Sequence, residues 1–498
     1  MSRVGGAAAP ARDVPVPALL AAMAGGTAAL GQAPWELWPL TVLGLAGLIL
    51  VAGRRPRRAG RIGWAFGAAY FLVCLHWIVE PFAVDPVIPD ALGWVALMLL
   101  AGGLAFLPAL ALRLAALSRA PMALAAPVLL LAGEALRMHL FTGFPWAAAG
   151  QALVPTPLLS LAALGGPHLL DAAVLGSAGL LAAAARRPVL GAVSAFGLGA
   201  AWIWGAALPE AVPAGDVPRA RLVQPGIEQG EKWQPQAREA HLAAQIALTA
   251  GGAADETAPV LTVWPETSLL HWMHEAGPLL PRIAAAAGGP VLLGGNRWDG
   301  ERVFNAAALV VEGGEVAAVY DKHHLVPFGE YVPFGGLAGR LGLRGLAQVI
   351  GEGFAPGPGP ATVEVPGLGP VLPLICYEAV FPASLRAPTR PRVLVQITND
   401  AWFGLHAGPA QHFAQARIRA AESGLPLLRS ANTGITGVID ARGRVTARLD
   451  GRGPGRLDAP VPPALAPTPY ARAGDWPILA VIGLLLAAGT ARALRRSD

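Results

Sequence analysis

The sequence predicts an α-helical membrane bundle of about eight spans joined to an α/β sandwich, and three observations predict it. The composition is 54% hydrophobic and only 14% charged, with a mean hydropathy of +0.50, too apolar for a soluble chain of 498 residues. The apolar residues concentrate in the first 207 positions and a short C-terminal stretch. Residues 208–472 between them have the mixed texture of a globular domain. The expected domains are therefore a helical membrane domain of about seven spans over 1–207, a globular domain over 208–472, and a final helix with a short tail over 473–498.

A spanning helix needs about 20 mostly apolar residues bounded by charge or by Pro/Gly turns. Such stretches lie near 14–30, 37–53, 62–79, 91–112, 121–138, 167–185, 188–207 and 476–491. The first is expected to stay as a helix and not to be removed as a signal peptide, because further spans follow at once.

Lys and Arg in short loops favour the cytoplasmic side. With the N-terminus inside, fourteen arginines fall on cytoplasmic segments: Arg3, Arg12, Arg54, Arg55, Arg57, Arg58, Arg61, Arg113, Arg119, Arg186, Arg187, Arg492, Arg495 and Arg496. The short outer loops and adjoining span ends hold only Arg137. This asymmetry places residues 208–472 outside the cytoplasm. It also explains the pI near 9.7, since the outer domain carries 22 basic and 23 acidic residues and offers no basic face for nucleic acid.

The two cysteines are far apart, Cys74 in an apolar span and Cys376 in the outer domain, so no disulfide framework is expected. An unpaired cysteine in an oxidising compartment is a liability unless its chemistry is used, which draws attention to Cys376.

Within the outer domain, strands are expected at 219–224, 260–264, 291–294, 306–311, 316–321, 371–376, 393–397 and 427–430, and helices near 235–250, 275–287 and 409–423. The Pro/Gly-rich stretch 353–360 reads as a loop. Glu266, Lys322 and Cys376 each close a strand-like run, where side chains emerge at a sheet's end. Singly they read as a solvated carboxylate, a surface charge and a small core residue. Together they supply a base, a positive charge for an oxyanion and a nucleophilic thiol.

The segments Trp264-Pro265-Glu266, Tyr320-Asp321-Lys322-His323-His324-Leu325-Val326-Pro327-Phe328-Gly329-Glu330 and Ile375-Cys376-Tyr377-Glu378 resemble the Glu/Lys/Cys signatures of the nitrilase (carbon–nitrogen hydrolase) superfamily. The long middle segment, Asn399-Asp400-Ala401-Trp402-Phe403-Gly404 and the spans resemble the apolipoprotein N-acyltransferase family. That resemblance implies a nitrilase-like αββα sandwich on the periplasmic side of a bacterial inner membrane. It implies ping-pong transfer of an acyl chain from a phospholipid, phosphatidylethanolamine being expected, through a Cys376 thioester to the N-terminal amine of a diacylglyceryl-cysteine apolipoprotein. Glu266 would be the general base, Cys376 the nucleophile and Lys322 the oxyanion stabiliser, with help from the backbone N–H of Tyr377. Glu330 would be a second carboxylate that orients the lysine or assists proton traffic, or else a structural ion-pair partner. Glu378 would support the site or be a hydrogen-bonded buried acid.

Trp233, Trp402, Tyr377, Phe144 and Trp146 match positions the family uses around its lipid site, although aromatic residues also gather at bilayer interfaces for other reasons. Segment 334–349 would be a mobile lid or an ordinary long loop. His323 and His324 lack a third ligand at metal-site spacing, so no metal or other cofactor is expected. Glu134 and Arg137, at the outer end of a span, would pair or line the cavity. A monomer is expected. The competing readings are a membrane-tethered amidase that hydrolyses carbon–nitrogen bonds and a non-catalytic lipid-binding membrane protein.

Overall fold

The computed structural model describes residues 16–84, 89–211, 217–250, 259–333, 353–449 and 453–494. The expected lid at 334–349 lies outside them.

Each of the eight apolar segments contains a helix. The first three are α1 (Val16–Ala29), α2 (Trp38–Arg54) and α3 (Ala59–Cys74). After the short α4 (Glu80–Val84) come α5 (Ala91–Leu104), α6 (Phe106–Leu117), α7 (Met122–His139), α8 (Ala162–Ala184) and α9 (Val189–Ala207). Four helical stretches are long and apolar enough to cross a membrane: Ala91–Leu117, Met122–His139, Pro157–Ala184 and Val189–Ala207. The pair Trp38–Arg54 and Pro56–Cys74, bent by 113°, makes a fifth if counted as one span. Val16–Ala29 and Trp476–Gly489 are apolar but shorter.

The helices pack through small residues, which let backbones approach closely where lipid supplies no hydrophobic drive between helices. A Cβ on Gly25 of α1 would lie 2.2 Å from the Phe66 carbonyl oxygen of α3. In α8 the helix kinks at Gly165 and Gly166. Gly166 has φ +64° and lies under the Tyr470 ring, so both its conformation and its space demand glycine.

The following domain contains α10 (Gln229–Lys232), α11 (Arg238–Ala250), α12 (Leu280–Ala287) and α13 (Ala407–Ser423) around two sheets. The first sheet runs β13 (Gly455–Pro460), β1 (Arg219–Gln224), β2 (Leu261–Val263), β4 (Val291–Trp298), β5 (Val303–Val310), β6 (Val316–Asp321), with β3 (Leu269–Trp272) beside β4. The second runs β12 (Val445–Arg448), β11 (Gly437–Ile439), β10 (Leu427–Ala431), β9 (Val393–Thr398), β8 (Gly369–Ile375), β7 (Val363–Val365). The chain ends through α14 (Pro469–Ala473) and α15 (Trp476–Leu494).

The two-residue period of a strand separates the layers. Val393, Val395 and Ile397 of β9 join Val371 and Ile375 of β8 in the core between the sheets. Leu394, Leu372 and Leu374 face the other way, onto Phe413, Ala416 and Ala420 of α13. On the far side, Ile283 and Ala284 of α12 and Leu242 of α11 cover Leu293, Val310 and Trp264. The result is an αββα sandwich, as the resemblance implied.

The expected strands are all present, with β5 starting earlier, at Val303. Strands β3, β7, β11, β12 and β13 were not anticipated, and the helix expected from 275 begins only at Leu280. The unanticipated strands are short or half-exposed, so they carry little apolar signal.

Helix α13 is buried at 15 of its 17 residues because it lies between the second sheet and the helical bundle. The bundle core continues into Tyr377, Val380 and Phe381 and into Ala407, Ala414 and Ile418 of α13. Gln411 bolts this joint: Trp77 Nε1 and Trp146 Nε1 donate to its Oε1 at 3.1 and 2.6 Å, and its Nε2 donates to the carbonyls of Ala33 and Cys74, both at 3.0 Å.

Candidate active site

The C-terminal ends of β2, β6 and β8 bring three side chains from two sheets to one place. Glu266 follows β2, where Trp264 is anchored by donating from Nε1 to Thr249 Oγ1 at 2.8 Å. Lys322 follows β6 and is held to β5 by its own N–H, which donates to the Asn305 carbonyl at 2.9 Å. Cys376 follows β8 with φ +52°, an uncommon left-handed conformation for a residue with a side chain.

Lys322 Nζ lies 2.8 Å from Glu330 Oε1 and 3.5 Å from Glu266 Oε1. Asn305 Nδ2 donates to both carboxylates, at 2.7 Å to Glu266 and 3.1 Å to Glu330. The other Glu266 oxygen accepts the Asn399 N–H at 2.9 Å. Burial lowers the Lys322 pKa, but Glu330, Glu266 and Cys376 outweigh it and raise the pKa overall, so the side chain stays an ammonium. Burial, aided by Glu266, pushes the Cys376 thiol well above its ordinary 9.0, while Lys322 and a hydrogen bond to Thr398 oppose the shift.

The resting sulfur is therefore a thiol at neutral pH, and attack needs a base that removes its proton during the reaction. The rate of iodoacetamide alkylation of Cys376 should accordingly keep rising with pH through 9.0. A plateau below pH 7 would contradict this assignment, because it would mean a standing thiolate.

Glu378 is fully enclosed. Its Oε1 accepts the His323 N–H at 2.8 Å, its Oε2 accepts the Ile375 N–H at 2.7 Å, and the Tyr320 hydroxyl donates at 3.1 Å. His323 Nδ1 also lies 2.6 Å from Oε1. Burial raises the pKa of Glu378, but His323 and the backbone donors outweigh it and hold the carboxyl ionised. The carboxylate is a hydrogen-bonded buried acid that ties the loop after Lys322 to the strand before Cys376. Glu330 likewise pairs with Lys322 and accepts the Val326 N–H at 2.8 Å.

The aromatic residues divide. The Tyr377 hydroxyl donates to the Gly143 carbonyl at 3.4 Å, joining the cysteine turn to the loop between α7 and α8. Trp233 is 46% exposed, and Trp402 and Phe144 are half-buried. Trp146, expected among the substrate contacts, is instead fully packed against Trp77, Phe403 and His412, with ring centroids 4.7, 5.7 and 5.6 Å away. Glu134 and Arg137 form an ion pair, and Arg137 also donates to the carbonyls of Phe144 and Trp146, both at 2.6 Å.

Among the described residues no three His, Cys, Asp or Glu side chains are grouped to hold a metal ion. His323 is engaged by Glu378, and His324 stacks on Phe381 at 3.8 Å.

Several contributors went unanticipated. Asn305 bridges the two carboxylates. Lys232 is buried beneath Glu266, donating to its carbonyl at 3.2 Å and to Thr267 Oγ1 at 2.7 Å. Burial lowers the Lys232 pKa to about 8, opposed by Glu266. The signal for Asn305 was a lone amide inside the apolar run Val303–Val310, since a polar group buried in a strand must find partners.

Two family models match the chain: the apolipoprotein N-acyltransferase N-terminal domain over residues 24–180 and carbon-nitrogen hydrolase over residues 219–467. The apolipoprotein N-acyltransferase of Rhodopseudomonas palustris is 34% identical over 508 aligned residues, covering 94% of both chains. That of Bradyrhizobium diazoefficiens is 37% identical over 517, again covering 94% of both. Among solved structures, an amidase mutant from a Nesterenkonia species, with acetamide covalently bound at its active-site cysteine, is 21% identical. It covers 54% of this chain and 98% of its own, with a TM-score of 0.39.

Proposed function

The chain belongs to the apolipoprotein N-acyltransferase family and is an N-acyltransferase of lipoprotein maturation in a bacterial membrane, and from that premise we propose that it works through a Cys376 thioester loaded from a phospholipid. Glu266 takes the proton from Cys376 as Sγ attacks the ester carbonyl. Lys322 and the Tyr377 N–H stabilise the oxyanion. The lysophospholipid oxygen leaves with the proton held by Glu266, and the acyl chain remains as a thioester. The amine of the diacylglyceryl-cysteine then attacks that carbonyl, Glu266 accepts the amine proton, and the departing sulfur recovers it. Glu330 holds Lys322, and Trp233, Trp402 and Phe144 flank the substrates.

The observation that carries this reading is the position of the cysteine turn. Tyr377 touches Gly143, on a loop whose Phe141 is 89% exposed, and Phe328, between Lys322 and Glu330, is 64% exposed. Exposed apolar side chains on the loop that Tyr377 contacts and on the segment after Lys322 suit an acyl chain arriving from lipid. The donor is then a phospholipid of the outer leaflet, phosphatidylethanolamine being the expected one.

The same reading takes the inner membrane as its site, with all eight helices spanning, residues 1–207 and 473–498 as the membrane parts and 208–472 periplasmic. Its support is the arginine distribution and the turn between α2 and α3, which carries Arg54, Arg55, Arg57 and Arg58. A monomer suffices, because one chain supplies every group of the site.

Mass spectrometry of a lipoprotein N-terminus tests the proposal. Cells with the protein should show one more acyl chain, amide-linked, than cells without it. An unchanged N-terminus together with hydrolysis of small amides would favour the amidase instead.

A further inference from the structure

Beneath Cys376 lies an enclosed polar network that the mechanism above does not use. Gln396 of β9 points to the helix side of the second sheet, and its Nε2 donates to the Cys376 carbonyl oxygen at 3.1 Å. His412 of α13 brings its Nε2 to 3.0 Å from that oxygen and 3.0 Å from Gln396 Nε2. With a proton there, the ring donates to the carbonyl; without one, it accepts from Gln396 and fixes the amide. His412 Nδ1 lies 3.0 Å from Asp400 Oδ1, which also accepts from the Thr398 hydroxyl at 2.9 Å. Arg429 closes the network by donating to Asp400 Oδ2 and to Gln396 Oε1. An arginine only donates, so it fixes which end of the Gln396 amide faces Cys376. None of Gln396, Thr398, Asp400, His412 and Arg429 is exposed to solvent.

The consequence follows from the planarity of the peptide bond. The Cys376 carbonyl and the Tyr377 N–H belong to one trans peptide, so they point in opposite directions. Drawing the carbonyl into the interior turns the N–H outward, and it does so while Cys376 keeps its left-handed φ of +52°. The Ile375 N–H on the other side is fixed by Glu378 at 2.7 Å. We propose that Gln396 and His412 are positioning residues for the oxyanion site: by gripping the Cys376 carbonyl they aim the Tyr377 N–H at the developing oxyanion. This rests on the acyl-transfer reading, and it assigns the network a part in carbonyl chemistry that goes beyond holding the fold.

The test separates carbonyl attack from plain thiol reactivity. Alkylation by iodoacetamide consumes the Cys376 sulfur but forms no oxyanion, whereas loading from phosphatidylethanolamine forms one. Full-length wild type, Gln396→Met and His412→Phe would be purified in detergent and assayed for both reactions. Both variants are apolar and close in size to the residues they replace, and the phenyl ring retains the packing on Trp146 and Phe403.

Loading should fall about 100-fold in each variant while alkylation changes by no more than about threefold. His412→Gln, which restores an amide donor, should recover part of the loading. Should one variant fail to fold, the other carries the same comparison. Loading and alkylation that fall together, or loading that does not fall, would overturn the proposal. A wild-type protein that alkylates but never loads would overturn the acyl-transfer reading instead.

Discussion

Cys376→Ala is expected to leave a folded protein whose acyl transfer falls on the order of 10⁴-fold or more. The expectation rests on covalent catalysis, because Cys376 is the thiol set with Glu266 and Lys322 and so is the proposed carrier of the acyl group between donor and acceptor. Cys74, the other cysteine, is buried in α3 of the bundle. Removing one sulfur from a site with little solvent exposure changes packing only slightly, so yield and melting temperature should stay near those of wild type. Transfer above about one per cent of wild type would refute the covalent route.

Lys322→Met is expected to cost both activity and stability. The ammonium is sealed between Glu266 and Glu330, and Asn305 is the other side chain that reaches both carboxylates. Without the cation, two negative groups remain in a site of low polarity, a change that costs on the order of 3 kcal/mol when one partner of a buried pair is removed. The oxyanion loses its positive neighbour at the same time, worth about 10²–10³-fold in rate. Lys322 also lowers the pKa of Cys376, so its loss makes the sulfur harder to deprotonate. Arginine would not substitute, since its planar fork cannot take the place of a compact ammonium between two carboxylates. A Lys322→Met protein with wild-type melting and more than about a tenth of the activity would contradict this assignment of the charge.

The sequence made the layout of this site largely legible. Glu266, Lys322 and Cys376 each end a run of apolar residues, and a polar side chain that stays buried at a strand's end must find partners, as Glu266 and Lys322 do in each other and in Glu330 and Asn305. The apolar helices were legible for a related reason: a helix in lipid must be long and apolar, so composition marks it, and four stretches meet that test, or five if the bent pair is one span.

What escaped the sequence was tertiary. Gln396 lies in the apolar run of β9 and His412 in a helix, 16 residues apart, and nothing local shows that both meet the Cys376 carbonyl. Trp146 read as an aromatic near the lipid site, yet the packing of α13 against the bundle encloses it. The short strands β11 to β13 carry little apolar signal and owe their place to pairing with neighbours.

The proposed reaction hinges on a covalent intermediate at one atom, the Cys376 sulfur. Purified protein would be incubated with phosphatidylethanolamine carrying a labelled acyl chain, digested, and the label located by mass spectrometry. It should then be chased with a diacylated lipopeptide. The prediction is label on the Cys376 sulfur, labile to hydroxylamine, moving to the lipopeptide amine during the chase. Label that reaches the lipopeptide without passing through Cys376, or that is released only as free fatty acid, would contradict it.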